Sequence, residues 1–184
     1  MQTIETGLPG LIIIKPKVFE DNRGYFFESF NKKRFINQAL EYDFVQDNES
    51  LSTYGIIRGL HYQLAPYAQT KLMRVIYGKI YDVAVDLREN SPTYRQWYGK
   101  ELSSENKEQL LIPQGFAHGF SVLSDKAIVF YKCDNFYQPE SERGINYKDP
   151  TLNIDWRVNP EQAIVSAKDK VLPDFKEAEM NFSI

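Results

Sequence analysis

The sequence is poor in the residues that build metal and thiol chemistry. Its 184 residues include one cysteine, Cys133, and two histidines, His61 and His118. One cysteine excludes an intramolecular disulfide framework, a four-cysteine zinc site and a CxxC redox pair. Two histidines leave a metal site short of nitrogen ligands unless carboxylates complete it. Long apolar runs are also missing: Leu11–Ile14 falls far short of the ~18 residues of a membrane span. The opening MQTIETGLPG has neither the basic region nor the apolar stretch that directs export. Neither sign of charge dominates, with 22 Lys and Arg against 25 Asp and Glu, a net charge of −3. That balance offers no general attraction to nucleic acid or to an anionic membrane. The expectation is a cytoplasmic protein that partners neither.

What is present in quantity is aromatic: 12 Phe, 12 Tyr and 2 Trp. Short segments rich in aromatic and β-branched residues recur between turn signals, the pattern of an all-β sandwich or barrel. The expected strands are Leu11–Phe19, Gly24–Phe30, Phe44–Ser52, Ile56–Tyr62, Lys71–Tyr77, Lys79–Leu87, Trp97–Leu102, Gln109–Ile112, His118–Val122 and Ala127–Cys133. In Lys79–Leu87 the alternation sets Tyr81, Val83, Val85 and Leu87 on one face and Ile80, Asp82, Ala84 and Asp86 on the other. A tight turn at Gly78 is expected to pair this strand with Lys71–Tyr77. Asn31–Leu40 reads as a helix, capped by Asn31, with Phe35, Ile36, Ala39 and Leu40 as its apolar stripe. Beyond Glu140 the pattern weakens into a tail with one short turn near Pro160–Ala163. No linker or repeat divides the chain, so residues 1–184 are read as one jelly-roll domain enclosing a ligand cavity.

Both histidines sit beside glycines, in Arg58-Gly-Leu-His61-Tyr-Gln63 and Pro113-Gln-Gly-Phe-Ala-His118-Gly. The plain reading is two hydrogen-bonded core histidines. Strand alternation puts Arg58 and His61 on opposite faces, but a bulge at Gly59 brings them to one side, and bulges are frequent beside active sites. The second segment matches the PxGxxH half of the metal-cupin pattern. The first half demands HxH and here has Gln63 in place of the second His, which favours a metal-free acid–base site. Tyr131 is either a packed strand tyrosine or a general acid. Cys133 has no basic sequence neighbour and reads as a buried, inert thiol. Lys168 and Asp169 are either a solvated pair or, respectively, an anion contact and the orienter of His61. Arg23, Arg58, Lys71, Arg74, Arg143 and Lys168 are dispersed, which suits a small polyphosphate better than a nucleic acid.

These segments combine with Asp21-Asn-Arg23-Gly-Tyr-Phe-Phe-Glu28, Gln46-Asp-Asn48-Glu-Ser and Ala68-Gln-Thr-Lys71-Leu-Met-Arg-Val. Asp82-Val-Ala-Val-Asp-Leu-Arg88 and Tyr131-Lys-Cys-Asp-Asn-Phe-Tyr137 complete the set. In this order, from about Gly10 to Asp169, the chain resembles the dTDP-4-dehydrorhamnose 3,5-epimerases. The resemblance implies a cupin-type double-stranded β-helix, or jelly roll, with one or two short helices. It implies epimerisation of a dTDP-linked 4-keto-6-deoxyglucose at C3 and C5 with no cofactor and no metal. His61 would be the base, Asp169 its orienter, Tyr131 the acid and Lys71 the stabiliser of the developing enolate oxygen, with His118 in the same pocket. Arg23, Glu28, Gln46, Asn48, Arg58, Glu142 and Lys168 would bind substrate, and Tyr137 would stack on the thymine. A homodimer with exchanged N-terminal strands is implied, Arg23 and Glu28 reaching into the neighbour's site. A single-carbon epimerase or ketoisomerase on this scaffold, and a non-catalytic sugar-binding jelly roll, are the competing readings.

Overall fold

A computed structural model describes residues Met1–Ile184. Thirteen strands form two large antiparallel sheets and a hairpin, joined by turns and a short helix. The six-stranded sheet has the order β1-β2-β10-β7-β12-β5, from Gln2–Glu5, Ile12–Lys15, Gln109–Ile112, Lys71–Tyr77, Lys126–Cys133 and Gln46–Thr53. The five-stranded sheet runs β13-β6-β11-β8-β9, from Glu142–Gly144, Ile57–Gln63, Phe116–Val122, Lys79–Asp86 and Trp97–Ser103. β3 (Val18–Asp21) and β4 (Gly24–Phe27) pair only with each other. This all-β, two-sheet arrangement is the jelly roll expected of the sequence, with one α-helix and two 3₁₀ turns. No helix is long and apolar enough to cross a membrane.

Three apolar clusters explain the layering. Met73, Val75, Leu110, Ile112 and Val129 from the larger sheet meet Ile80, Ala84, Phe116 and Phe120 from the smaller one, forming the core between the sheets. The outer face of the smaller sheet, with Leu60, Tyr62, Tyr81, Val83, Val85 and Leu87, is covered by the C-terminal segment through Tyr147, Trp156, Val165, Phe175 and Phe182. β8 is therefore buried on both faces, and its alternating residues divide between these two cores. On the outer face of the larger sheet, Ile12, Ile14, Leu72 and Leu111 pack against Phe35 and Leu40.

Several elements depart from the sequence reading. β7 and β8 do not form a hairpin: β7 pairs with β10 and β12, and β8 with β11 and β9. Gly78, with φ +76°, carries the chain from one sheet to the other. A Cβ there would lie 2.0 Å from the Lys126 carbonyl oxygen, so only glycine fits the crossing. The expected strand Leu11–Phe19 is two strands, separated at Pro16, where the ring removes a ladder donor. The helix spans only Lys32–Ile36, with the Asn31 side chain capping the Arg34 N–H at 3.2 Å. It stops because Ala39 turns to positive φ, and of the expected stripe Phe35 and Leu40 are buried whereas Ile36 is exposed. β1 and β13, at sheet edges, are short strands that carry no clear alternation. The expected short turn near Pro160–Ala163 is present, closed by the Gln162 N–H on the Asn159 carbonyl at 3.1 Å, and two 3₁₀ turns lie at Pro139–Ser141 and Asp169–Val171.

Candidate active site

A cavity of about 470 Å³ opens between the two sheets. β6 supplies Arg58 and His61, β11 supplies His118 and Phe120, and both belong to the smaller sheet. Lys71 of β7 and Tyr131 of β12 enter from the larger sheet. Glu142 of β13 and the segment holding Ser166, Lys168 and Asp169 close the mouth. Ile56, Ile57, Ile164 and Val165 give one apolar wall.

A local irregularity puts Arg58 and His61 on the same side. Along β11 the partners pass from His118↔His61 to Phe120↔Arg58, so Gly59 and Leu60 oppose the single residue Gly119. This is a two-against-one bulge, which shifts the side-chain phase by one residue. The backbones approach closely here: a Cβ on Gly59 would lie 2.6 Å from the His118 carbonyl oxygen, and its φ is +110°. Glycine at 59 is thus what lets the bulge form and the two side chains share the cavity.

Each histidine meets a carboxylate. His61 Nε2 lies 2.8 Å from Asp169 Oδ1, a pairing across 108 residues of sequence. Asp169 is held in turn by the Gly59 N–H on its Oδ2 at 3.2 Å, and its own N–H donates to Ser166 Oγ at 3.0 Å. Burial acts to raise the Asp169 pKa, but the hydrogen bonds from His61, Gly59 and Ser166 outweigh it and leave the carboxyl below its ordinary value. The group is a carboxylate able to hold one imidazole orientation. His118 Nε2 lies 2.7 Å from Asp82 Oδ1, and Asp82 is fully buried with its Oδ2 unpartnered. Burial pulls the His118 pKa down despite the Asp82 carboxylate.

The larger sheet contributes groups of the opposite disposition. Burial pushes the Tyr131 phenol up to about 12, so it is protonated at neutral pH. Burial lowers the Lys71 pKa, while Cys133, Asp82 and Glu142 favour its charge. Lys71 is directly opposite Cys133 across β7 and β12, so the thiol does have a basic neighbour, which sequence adjacency alone did not reveal. Burial nonetheless raises the Cys133 pKa to about 11, which keeps the thiol protonated and unreactive.

At the mouth, Glu142 Oε2 accepts from Lys168 Nζ at 2.5 Å and from the Tyr137 hydroxyl at 2.6 Å. Burial favours the protonated Glu142, but these two bonds more than offset it and lower its pKa. Arg58 is oriented by its Nε bond to Ser52 Oγ at 3.0 Å.

The structure thus gathers Arg58, Lys71, His61, His118, Tyr131, Glu142, Lys168 and Asp169 around one cavity. Gln46, Asn48 and Tyr137 stand beside it: Gln46 Nε2 donates to Asn48 Oδ1 at 3.2 Å, and Gln46 Oε1 accepts the Tyr137 N–H at 2.9 Å. Arg23 and Glu28 are not in this chain's cavity. Arg23 lies in the β3–β4 turn, paired with Asp21 at 2.7 Å, and Glu28 pairs with Arg34 at 3.0 Å. Sequence reasoning passed over Asp82, Ser52 and Ser166. Asp82 did carry a signal, a carboxylate between Ile80 and Ala84 on a core-facing row; the two serines carried none. No group of three or more His, Cys, Asp or Glu side chains is arranged to hold a metal ion.

Comparison with known proteins gives a consistent picture. The family model described as dTDP-4-dehydrorhamnose 3,5-epimerase matches residues 5–177. A Shigella flexneri dTDP-4-dehydrorhamnose 3,5-epimerase is 54% identical over 171 residues, 92% of this chain and 93% of that protein. The crystal structure of the Bacillus anthracis enzyme of that name, with TDP and PPi bound, has a TM-score of 0.92 and 47% identity, covering 95% of this chain and 99% of its own. The Legionella pneumophila dTDP-6-deoxy-D-glucose-3,5-epimerase, in complex with dTDP-4-keto-L-rhamnose, has a TM-score of 0.90 and 49% identity, covering 96% and 93%.

Proposed function

This chain belongs to the dTDP-4-dehydrorhamnose 3,5-epimerase family, and from that premise we propose how its cavity works. The protein is an isomerase that inverts C3 and C5 of dTDP-4-dehydro-6-deoxy-D-glucose, giving dTDP-4-dehydro-L-rhamnose for dTDP-L-rhamnose synthesis. The observation that carries the mechanism is the entry of His61 and Tyr131 into one cavity from opposing sheets. Inversion requires a proton to leave one face of a carbon and another to arrive on the opposite face.

C3 and C5 both flank the C4 ketone, so loss of either proton places negative charge on O4. His61, oriented by Asp169, takes the proton and becomes an imidazolium that the carboxylate stabilises. Lys71 faces the developing oxyanion. Its ammonium is disfavoured by burial, and a nearby anion relieves that cost, so the interaction strengthens as charge develops. Tyr131 then delivers its phenolic proton to the carbon's other face. Arg58 tempers the phenolate left behind, and the proton held by His61 restores the phenol through solvent. General acid–base steps contribute roughly 10²–10⁴-fold each, and oxyanion contacts roughly 10²–10³-fold. His118, held by Asp82, completes the polar wall. Arg58, Lys168, Glu142, Gln46 and Asn48 meet the substrate's polar groups, and Tyr137 stacks on its base.

The same reading includes a homodimer with exchanged N-terminal strands. The β3–β4 hairpin pairs with no other strand, exposes Phe19, Tyr25 and Phe26, and carries Arg23 near Glu28, away from this chain's own cavity. Those features suit a hairpin that completes a neighbour's site, in a cytoplasmic enzyme. Sedimentation equilibrium of the wild type against Phe26→Asp measures the association.

The decisive experiment is incubation with dTDP-4-dehydro-6-deoxyglucose in deuterated water, followed by NMR. Exchange at both C3 and C5 is expected. Exchange at one carbon makes the protein a single-carbon epimerase, and none at either refutes the acid–base assignment.

A further inference from the structure

Gln63 is unexplained by that mechanism. It occupies the position two residues after His61 where a metal-dependent cupin pattern carries a second histidine, and it is 5% exposed. Its amide serves neither the cavity nor a side chain. Nε2 donates to the Tyr67 carbonyl at 2.6 Å and to the Phe136 carbonyl at 3.2 Å, and Oε1 accepts the Gln138 N–H at 2.7 Å. Two of those three bonds fall on either side of Tyr137, in the segment 134–138 that follows β12. This segment has no regular secondary structure, so side chains must supply partners for its main-chain groups. Gln46 takes the Tyr137 N–H and Gln69 donates to the Asn135 carbonyl at 2.8 Å. Gln63 is the buried centre of this clamp. Its strand also pairs Gln63 with Glu142, whose Oε2 accepts the Tyr137 hydroxyl. Tyr137 is thereby held at both ends, through its main chain and through its phenol, while about half of its surface faces solvent beside the cavity.

We propose that Gln63 is a positioning residue for nucleotide recognition, fixing segment 134–138 so that Tyr137 stands ready for the nucleobase. The proposal rests on the reading of Tyr137 as the base contact. Holding an aromatic side chain in its bound position before the ligand arrives removes an ordering cost from binding, and affinity rises without a new ligand contact. Only glutamine among the similar side chains offers two donors and an acceptor at this length. Glutamate keeps the acceptor and loses both donors, and methionine keeps the length and loses all three.

The test uses TDP as the probe, titrated calorimetrically into wild type, Gln63→Met, Tyr137→Ala and the double variant, with steady-state kinetics on the dTDP-sugar. Gln63→Met is expected to weaken TDP binding by about tenfold and raise KM similarly, with kcat within about twofold, since one buried hydrogen-bonded clamp is lost. The double variant should bind TDP no more weakly than Tyr137→Ala, because Gln63 acts through Tyr137. A purely structural role for Gln63 would instead lower kcat, or give losses that multiply in the double variant, and either result overturns the proposal. Unchanged TDP affinity in Gln63→Met overturns it as well. If the methionine variant does not fold, Gln63→Glu carries the same comparison with the same expected signs. Unchanged TDP affinity in Tyr137→Ala would instead refute the base contact itself, which separates the two failures.

Discussion

Two histidine–aspartate pairs stand side by side in this protein, with nearly equal lengths of 2.8 Å and 2.7 Å, in very different settings. The His61 side chain is 29% exposed to the cavity, and its Asp169 comes from the irregular C-terminal segment. The His118 side chain is 8% exposed, and its Asp82 sits on the neighbouring strand with no exposure at all. His61 and His118 are themselves direct partners across β6 and β11. The difference teaches that a hydrogen-bonded pair takes its role from access, not from its own geometry. A base must reach substrate and exchange its proton, which the His61 pair can do. The His118 pair is locked among strands, where an unpaired polar group carries a large desolvation cost.

Variants of the two pairs sharpen that contrast. The largest effect is expected for His61→Ala: turnover falls by roughly 10⁴-fold or more while the protein stays folded, measured by NMR of product formation and by thermal unfolding. Asp169→Asn keeps the side-chain size but changes what the imidazole is bonded to, so kcat should fall by roughly 10²–10⁴-fold with little loss of TDP affinity. Retained activity in either variant would break the distinction. Tyr131→Phe is expected to leave deuterium exchange from the His61 face detectable while inverted product disappears, since removal and delivery then come apart. Asp82→Ala should act mainly on stability, lowering it by roughly 1–3 kcal/mol in urea unfolding, because it strands the buried His118. A stable Asp82 variant that had lost activity alone would reverse the assignment of the two pairs.

The smallest effect concerns pH. Burial raises Cys133 to about 11 and Tyr131 to about 12, against ordinary values of 9.0 and 10.0. Both groups favour the fold in their neutral forms. Their contribution is complete below the unfolded-chain values and is lost as pH rises through the folded ones. Urea midpoints should hold from neutrality to about pH 9 and fall beyond it, and Cys133→Ala should delay the onset. An unchanged midpoint at about pH 11 would show that neither group is as enclosed as the structure places it.

How much of this was legible beforehand varies by element. Alternation divided the faces of Lys79–Leu87 correctly, because side-chain period is a local property of a strand. Which strand pairs with which is not local. The β7–β8 hairpin was the natural expectation for two strands around a glycine, and the fold uses that glycine to change sheets instead. The weak pattern beyond Glu140 gave no hint that this segment covers the smaller sheet, since irregular backbone leaves no periodicity. The pairing of Asp169 with His61 was legible only from residue type and family resemblance. Arg23 and Glu28 carried motif signals, yet nothing in their spacing says that they stand away from this chain's cavity.

The amino-acid order alone determined the chemistry available: two histidines, one thiol, a jelly-roll strand pattern and a set of motifs ordered as in one epimerase family. The tertiary structure decided which of those groups meet. It set His61 against Tyr131 across the gap between two sheets, left one histidine open to the cavity and the other nearly covered, and turned Gln63 from a vacant metal-ligand position into the clamp of a loop. The reason is physical. Residue types and period are carried by the chain itself, whereas access, pKa and opposition arise from segments 36 to 108 residues apart excluding water together.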